Sequence, residues 1–350
     1  MVAATVTDLT RYYYHYFPNF PIYKCCVFMS ADLHLTLVLP GLLWPHQEAM
    51  VPKLHLPALN TLRLWSKYFP QTISRSLLYR QYLWQGSWLQ QAGQQINSNS
   101  SGYGFIATPI SQTAGMHQLQ YLDGKALGLT TKEAQAFCDV LNAWLQADGW
   151  QFWPVKPDLW LVTTPQSIEF TLPSLLDLSG SIDGTAKPAG TDATQILQQQ
   201  TELQMLLYQH PLNLQRNARG LPAINGFWFE QDITGTANNE TLLYTNSSWA
   251  FHAYNLPENY ARLSDSLSSQ QEVVLFNDQL CLPVNQGDVY TYTQILQQWE
   301  QHWWHPLLTA LQNRQIHRLD IQCEAGLLKI CKPWLPPFWR KTKPFSGLSL

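Results

Sequence analysis

The chain has 350 residues, of which 45% are apolar and only 13% charged, with a net charge of −3. That length suggests roughly two domains with a large buried core. With no Lys/Arg stripe, an electrostatic reader of nucleic-acid backbones is excluded. No apolar run is long enough for a membrane-spanning helix.

Six cysteines, Cys25, Cys26, Cys138, Cys281, Cys323 and Cys331, are scattered without a CxxC pair. Zinc sites and redox motifs call for close pairs, and a disulfide framework needs more cysteines in a shorter chain. A reducing compartment, the cytoplasm, is expected. The basic cluster Arg340, Lys341 and Lys343 reads as a solvated tail. Residues 1–28 carry eight aromatics but no signal-peptide pattern. They are expected to be a disordered tail or a mis-assigned start, Met29 being the more natural one.

Leu33–Leu39 reads as a buried strand ended by Pro40-Gly41. Leu56–Trp65 has helical apolar spacing. Residues 93–104 read as an exposed polar loop, and Phe105 begins a new segment. Thr130 and Glu133 form a capping box that opens a helix with Phe137, Cys138, Leu141, Trp144 and Leu145 on one face. Gly149 is placed to stop it. Leu159–Thr163 suggests a strand, 177–191 a Gly-containing loop, and Ile196–Tyr208 a helix. Phe227–Phe229 suggests a strand, and Val273–Leu282 contains a second. A long helix is expected over Thr293–Gln312, kinked by Pro306. Leu319–Cys323 and Leu327–Cys331 flank Glu324-Ala325-Gly326, a hairpin signal. Alternating strands and helices favour an α/β fold with a mainly parallel sheet. There is no internal repeat.

Three stretches carry a resemblance. Leu37-Val-Leu-Pro-Gly-Leu42 followed by Leu56-Pro-Ala-Leu-Asn-Thr-Leu62 is one. Phe105-Ile-Ala-Thr108 with the Thr130 helix is the second. His210-Pro-Leu-Asn-Leu-Gln-Arg216, Arg219-Gly220 and Pro222-Ala-Ile-Asn-Gly-Phe-Trp228 make the third. Together they resemble cofactor-independent phosphoglycerate mutases of the alkaline-phosphatase superfamily, and nearly all of 33–345 looks like the bacterial RpfE-type regulatory proteins. The resemblance implies an alkaline-phosphatase-like core over 29–104 and 217–350. Its sheet would be mainly parallel with helices on both faces. A smaller α/β domain would be inserted over 105–216.

The family's mutases hold two divalent metals with an Asp ending the first strand, an Asp-x-x-x-His motif and an Asp-His pair. Here Pro40 stands at the first position, and neither motif occurs anywhere in the chain. The resemblance therefore implies a degraded metal site, with no metal and no cofactor. The function expected is that of a non-catalytic regulatory or ligand-binding protein of the bacterial cytoplasm. The alternatives are an active mutase or phosphatase-type phosphotransferase with rearranged ligands, and a protein-interaction scaffold.

Arginine forks suit phosphate and carboxylate. Arg216 and Arg219 are thus the anion candidates, with His210, Asn213 and Asn225 orienting the junction. A structural ion pair is the competing role for the arginines. The ligand expected is a small phosphorylated or carboxylated metabolite, and a protein partner is the other candidate. Neither nucleic acid nor membrane is expected. His302 and His305, one helical turn apart, read as a packed or surface pair, and Asp278 and Asp288 as turn formers near a strand end. No Ser nucleophile stands out among Ser66, Ser74, Ser76 and the 98–101 cluster. The many tryptophans are expected mostly in the core, with some lining a cleft.

Overall fold

A computed structural model describes residues 33–45, 51–96, 102–115, 119–178, 180–182, 186–208, 210–267, 272–334 and 343–350. The tail 1–28, Met29, Cys25, Cys26, the 98–101 serines, Arg340 and Lys341 lie outside the described residues.

The chain runs β1 (His34–Val38), α1 (Pro57–Trp65), β2 (Ser66–Pro70), α2 (Arg75–Tyr82), β3 (Gln85–Ser87), α3 (Trp88–Gln95) and β4 (Gly104–Ala114). Then come β5 (Leu119–Leu122), α4 (Thr131–Trp144), β6 (Gln151–Lys156), β7 (Leu159–Thr163), β8 (Ser181–Ile182), α5 (Ala193–Leu207), α6 (Pro211–Ala218) and β9 (Gly226–Glu230). The last part holds β10 (Thr234–Thr236), β11 (Leu242–Thr245), α7 (Tyr260–Ser264), β12 (Glu272–Phe276), α8 (Cys281–Gln286), α9 (Val289–Trp299), α10 (His305–Gln312), β13 (Arg318–Cys323) and β14 (Gly326–Ile330).

The first sheet has the order β11-β12-β1-β13-β14-β2. Its first four strands are parallel, with Leu35 opposite both Val273 and Leu319. The last two are antiparallel. The second sheet joins β4 to β9 and is antiparallel in every pairing. The expected mainly parallel arrangement therefore holds only for the four neighbouring strands β11, β12, β1 and β13 of the first sheet. Short connections such as the Glu324–Ala325 turn return the chain directly beside itself, which forces antiparallel pairing. The second sheet draws strands from 104 to 230, so β9 joins it beyond residue 216, the expected end of the inserted segment.

Both faces of the first sheet are covered, and the alternation of its strands shows how. Leu35, Leu37, Val273 and Leu275 pack with α1, α9 and α10, while Val38, Val274 and Phe276 face the other way. That is the period of two expected of a pleated strand. The second group meets α2, α3 and the near face of the second sheet, through Ile106, Val155, Leu159 and Leu161. The two sheets thus share one apolar cluster. Within the second sheet, Gly104 lets β4 lie close against β7: a Cβ there would lie 2.3 Å from the Val162 carbonyl oxygen.

Local signals account for several elements. The Thr130–Glu133 capping box is formed in both directions at the start of α4. The long C-terminal helix starts at Val289, capped by Asp288, earlier than expected. It is interrupted not by a simple kink but by a π-type segment, Glu300–Trp304, ahead of Pro306 in α10. A π turn takes up the hydrogen bond that proline cannot donate. The interruption also frees Glu300 to accept from the backbone nitrogens of Ala58 (2.5 Å) and Leu59 (3.4 Å) at the start of α1. The strand expected within Val273–Leu282 is β12, which ends at Phe276, and Cys281 opens α8. Among the described residues no helix is long and apolar enough to cross a membrane.

Leu35 is fully buried at the centre of the parallel strands. Leu35→Ala is expected to lower the unfolding free energy by about 2–5 kcal/mol, the range for buried leucine truncation, as read by denaturant titration.

Candidate functional site

The C-terminal ends of the parallel strands converge, the place where open α/β sheets bind ligands. β1 ends in Pro40-Gly41, β12 leads to Asp278 and Cys281, β11 to Ser247-Ser248-Trp249, and β13 to Glu324. Gly41 has φ +75°, and its backbone nitrogen donates to both carboxylate oxygens of Glu324, at 2.9 and 3.1 Å. Arg75, from the first turn of α2, donates to Glu324 at 3.3 Å and to Asn285 at 2.8 Å. Glu324 thus ties three separate segments together.

Between this edge and the second sheet lies a cavity of about 120 Å³. From the first sheet's side come Arg75, Tyr79, Ser247, Ser248, Trp249, Asp278 and Cys281; from the other come Thr108, Asp123, Lys125 and Asp158. Asp123 and Lys125 sit in the turn after β5, and Asp158 in the turn joining β6 to β7. Asp278 accepts from the Tyr79 hydroxyl at 3.1 Å and faces Lys125 Nζ at 3.6 Å. Asp158 accepts from the Ser248 hydroxyl at 2.9 Å. The hydroxyls of Thr108 and Ser247 are buried without a hydrogen-bond partner.

The electrostatics follow from burial. By surface area Asp123 is only partly buried, yet protein packs densely around it. Burial first, then the charge of Asp158, pushes its carboxyl up to about 6. Burial also raises Asp158, against the pull of the Ser248 hydroxyl. Behind them Glu230, on β9, is pushed up to about 7 by burial while accepting from Leu175 N at 3.0 Å. Burial likewise pushes the Cys281 thiol up to about 12 and Tyr79 well above its ordinary value. Neither is an activated nucleophile.

The metal pair that the family's mutases hold finds no fit among the described residues. Pro40 offers no side-chain ligand, and Glu324 is occupied by Gly41 and Arg75. Among the described residues no group of three His, Cys, Asp or Glu is arranged to share an ion. His302 and His305 are both exposed on the helix surface.

The residues singled out as anion contacts gather elsewhere. Arg216 is 1% exposed. Its guanidinium donates to Pro222 O (2.9 Å), to Leu127 O and to Glu133 (3.1 Å). Arg219 pairs with the same Glu133. Asn213 bridges the backbone of Leu207 and Ile224, and Asn225 bonds both backbone groups of Gln112. His210 caps α6, accepting from Leu212 N at 3.3 Å. None of the five lines the cavity. Of the earlier candidates only Asp278 does; Asp288 caps α9. Ser66 donates to Arg63 O, Ser74 caps α2, and Ser76 donates to Asp177 at 2.5 Å. Arg75, Asp123, Asp158, Ser247 and Ser248 were missed, because no local motif joins them.

Arg216→Ala leaves the Pro222 and Leu127 carbonyls without this donor while Glu133 keeps Arg219 and Thr130, so a loss of at least about 2 kcal/mol, from about 1–3 kcal/mol for each unsatisfied carbonyl, is expected in chemical denaturation. Arg219→Ala, at the exposed end of the network, should cost at most about 1 kcal/mol. For Asp123 the folded carboxyl holds its proton more tightly than the unfolded one, near 3.9. Its contribution is favourable below that value and is lost as pH rises through about 6. Asp123→Asn should therefore melt higher than the parent at pH 8, and the difference should vanish by pH 4.

No protein-family model matches the chain, and no curated protein matches it. Among solved structures it is similar to the PH0037 protein from Pyrococcus horikoshii, at 12% identity over 85% of this chain and 86% of that one, with a TM-score of 0.46. It is also similar to a cofactor-independent phosphoglycerate mutase from Thermoplasma acidophilum DSM 1728, at 13% identity over 91% and 95% of the two chains, with a TM-score of 0.34. At these identities and scores the likenesses assign no family, residue role or activity to this chain.

Proposed function

We propose that this chain is a non-catalytic protein that binds a small polar molecule in the cavity between its two six-stranded sheets, with a regulatory role. One observation carries the reading. The cavity joins charged side chains from both sheets to two buried hydroxyls, Thr108 and Ser247, that have no protein partner. A buried hydroxyl without a partner costs stability, and a bound molecule supplies the missing bond. The lack of turnover is supported by the raised Cys281 thiol and Tyr79 hydroxyl, and by the absence of histidine from the cavity wall. The anionic metabolite expected from the sequence rested on Arg216 and Arg219. Their donors face Glu133 and backbone carbonyls, so the reading rests on the cavity instead.

A second reading, a hydrolytic or phosphotransfer enzyme, has one observation in its favour. Asp123 at about 6 lies in a range suited to proton transfer near neutral pH, and the Ser248–Asp158 pair is close by.

The test combines two measurements on the full chain. Thermal denaturation is followed against a panel of small cationic, anionic and neutral metabolites, and turnover of phosphoglycerates and p-nitrophenyl phosphate is assayed with manganese(II). We expect a saturable shift with at least one panel member, lost in Ala126→Phe, which fills the cavity, and no turnover above background. Turnover abolished by Asp123→Asn would establish the enzyme reading in its place.

A further inference from the structure

We propose that the cavity takes a small primary ammonium compound carrying a hydroxyl group. The ammonium would be held by Asp123 and Asp158, and the hydroxyl by Thr108 and Ser247. This deepens the binding reading above and rests on it.

Charge around the cavity is unbalanced. Asp123, Asp158 and Asp278 line it with Arg75 and Lys125. Both cations are engaged: Arg75 with Glu324 and Asn285, Lys125 with Asp278. Among the described residues no cationic side chain forms a direct ion pair with Asp123 or Asp158, and the charges of Arg75 and Lys125 reach them only from a greater distance. Two carboxylates, of which Asp123 feels the charge of Asp158, are thus left without a direct cationic partner on the wall of the same partly open cavity. Removing such charges from water is costly unless a partner arrives. A cation restores the balance. An anion would meet both carboxylates and gain only cations that are already paired.

The geometry favours an ammonium over a metal ion. A divalent metal needs several anionic or imidazole ligands converging on one point, and no group of three does so among the described residues. An ammonium has three donors directed apart and is satisfied by acceptors spread around it. The second observation is independent of charge. Thr108 is 4% exposed and Ser247 is 7% exposed; both line the cavity, and neither hydroxyl has a partner in the protein. An amino alcohol satisfies both halves, with its ammonium at the carboxylates and its hydroxyl at Thr108 and Ser247. Trp249 and Tyr79 supply aromatic walls, surfaces that tolerate a cation. The volume of about 120 Å³ limits the occupant to a small molecule.

Ethanolamine is the probe, with inorganic phosphate, manganese(II) and glycerol as comparison arms at matched ionic strength and pH 8. Binding is read by ligand-observed NMR and by thermal denaturation of the full chain. Ethanolamine is expected to bind saturably. Asp158→Asn and Asp123→Asn should each weaken it about tenfold or more, the worth of a charge-assisted hydrogen bond. Ser247→Ala should weaken it less, and Glu240→Gln, an exposed carboxylate outside the cavity, not at all. Circular dichroism of each variant separates lost binding from lost fold. Binding of phosphate, manganese(II) or glycerol without ethanolamine would overturn the ammonium assignment and leave the cavity as a ligand site. Ethanolamine binding that survives both Asp variants would place it elsewhere and also overturn the assignment. No binding in any arm, and no shift across the metabolite panel, would sink both readings.

Discussion

The shared apolar cluster between the two sheets is the constraint on which the rest depends. Trp84 and Trp249 stack at 5.8 Å with an interplanar angle of 23°. Tyr79 meets Phe276 edge-on at 4.8 Å, and Trp88 meets Trp249 at 6.0 Å. Around these rings lie Val38 and Val274 from the parallel strands and Ile106 and Leu161 from the antiparallel sheet. Large aromatic rings contribute both area and orientational preference, so neither sheet can slide without breaking several contacts at once. Two rings of that cluster, Tyr79 and Trp249, also form part of the cavity wall. The cavity is therefore the rim of a packed interface, and its polar groups sit on rigid supports.

Glu324 illustrates how a sheet edge can be closed by its own chain. It stands in the β13–β14 turn, accepts from Gly41 at the end of β1, and pairs with Arg75 at the start of α2. Open α/β sheets leave backbone groups at this edge for a ligand. Here a carboxylate of the protein takes one of those amides and the nearest guanidinium. Ligand capacity moves sideways, toward the second sheet, where Asp123, Asp158, Thr108 and Ser247 remain without strong partners.

Much of the fold was legible because its signals are local. The Thr130–Glu133 box, the alternation in Leu33–Leu39, Leu159–Thr163 and the Glu324–Gly326 turn each lie within a few residues, and each element was found. α2 was not, since its short sequence Arg75–Tyr82 buries only Leu78 and Tyr79 and shows little periodicity. The site was harder for a different reason. Arg75 and Glu324 are 249 positions apart, and Tyr79 and Asp278 are 199 apart. No spacing rule reaches across such distances. Arg216 and Arg219 drew notice because they belong to a compact run with Asn and Pro, a run that serves as the α6 junction.

Carboxyl groups held above their ordinary range lower the stability of the folded state at neutral pH. The fold places Asp123, Asp158 and Glu230 in one region, and burial raises all three. Simple packing would be served better by Asn, Gln or an apolar residue at those positions. Nor does a structural ion pair account for them, as it does for Arg216 with Glu133 or Arg318 with Asp320. Local departures from the most stable choice concentrate where a protein meets something else. Asp123 and Asp158 line a concave, partly open cavity together with the unpartnered Thr108 and Ser247 hydroxyls, which points to a small occupant rather than to a macromolecular partner.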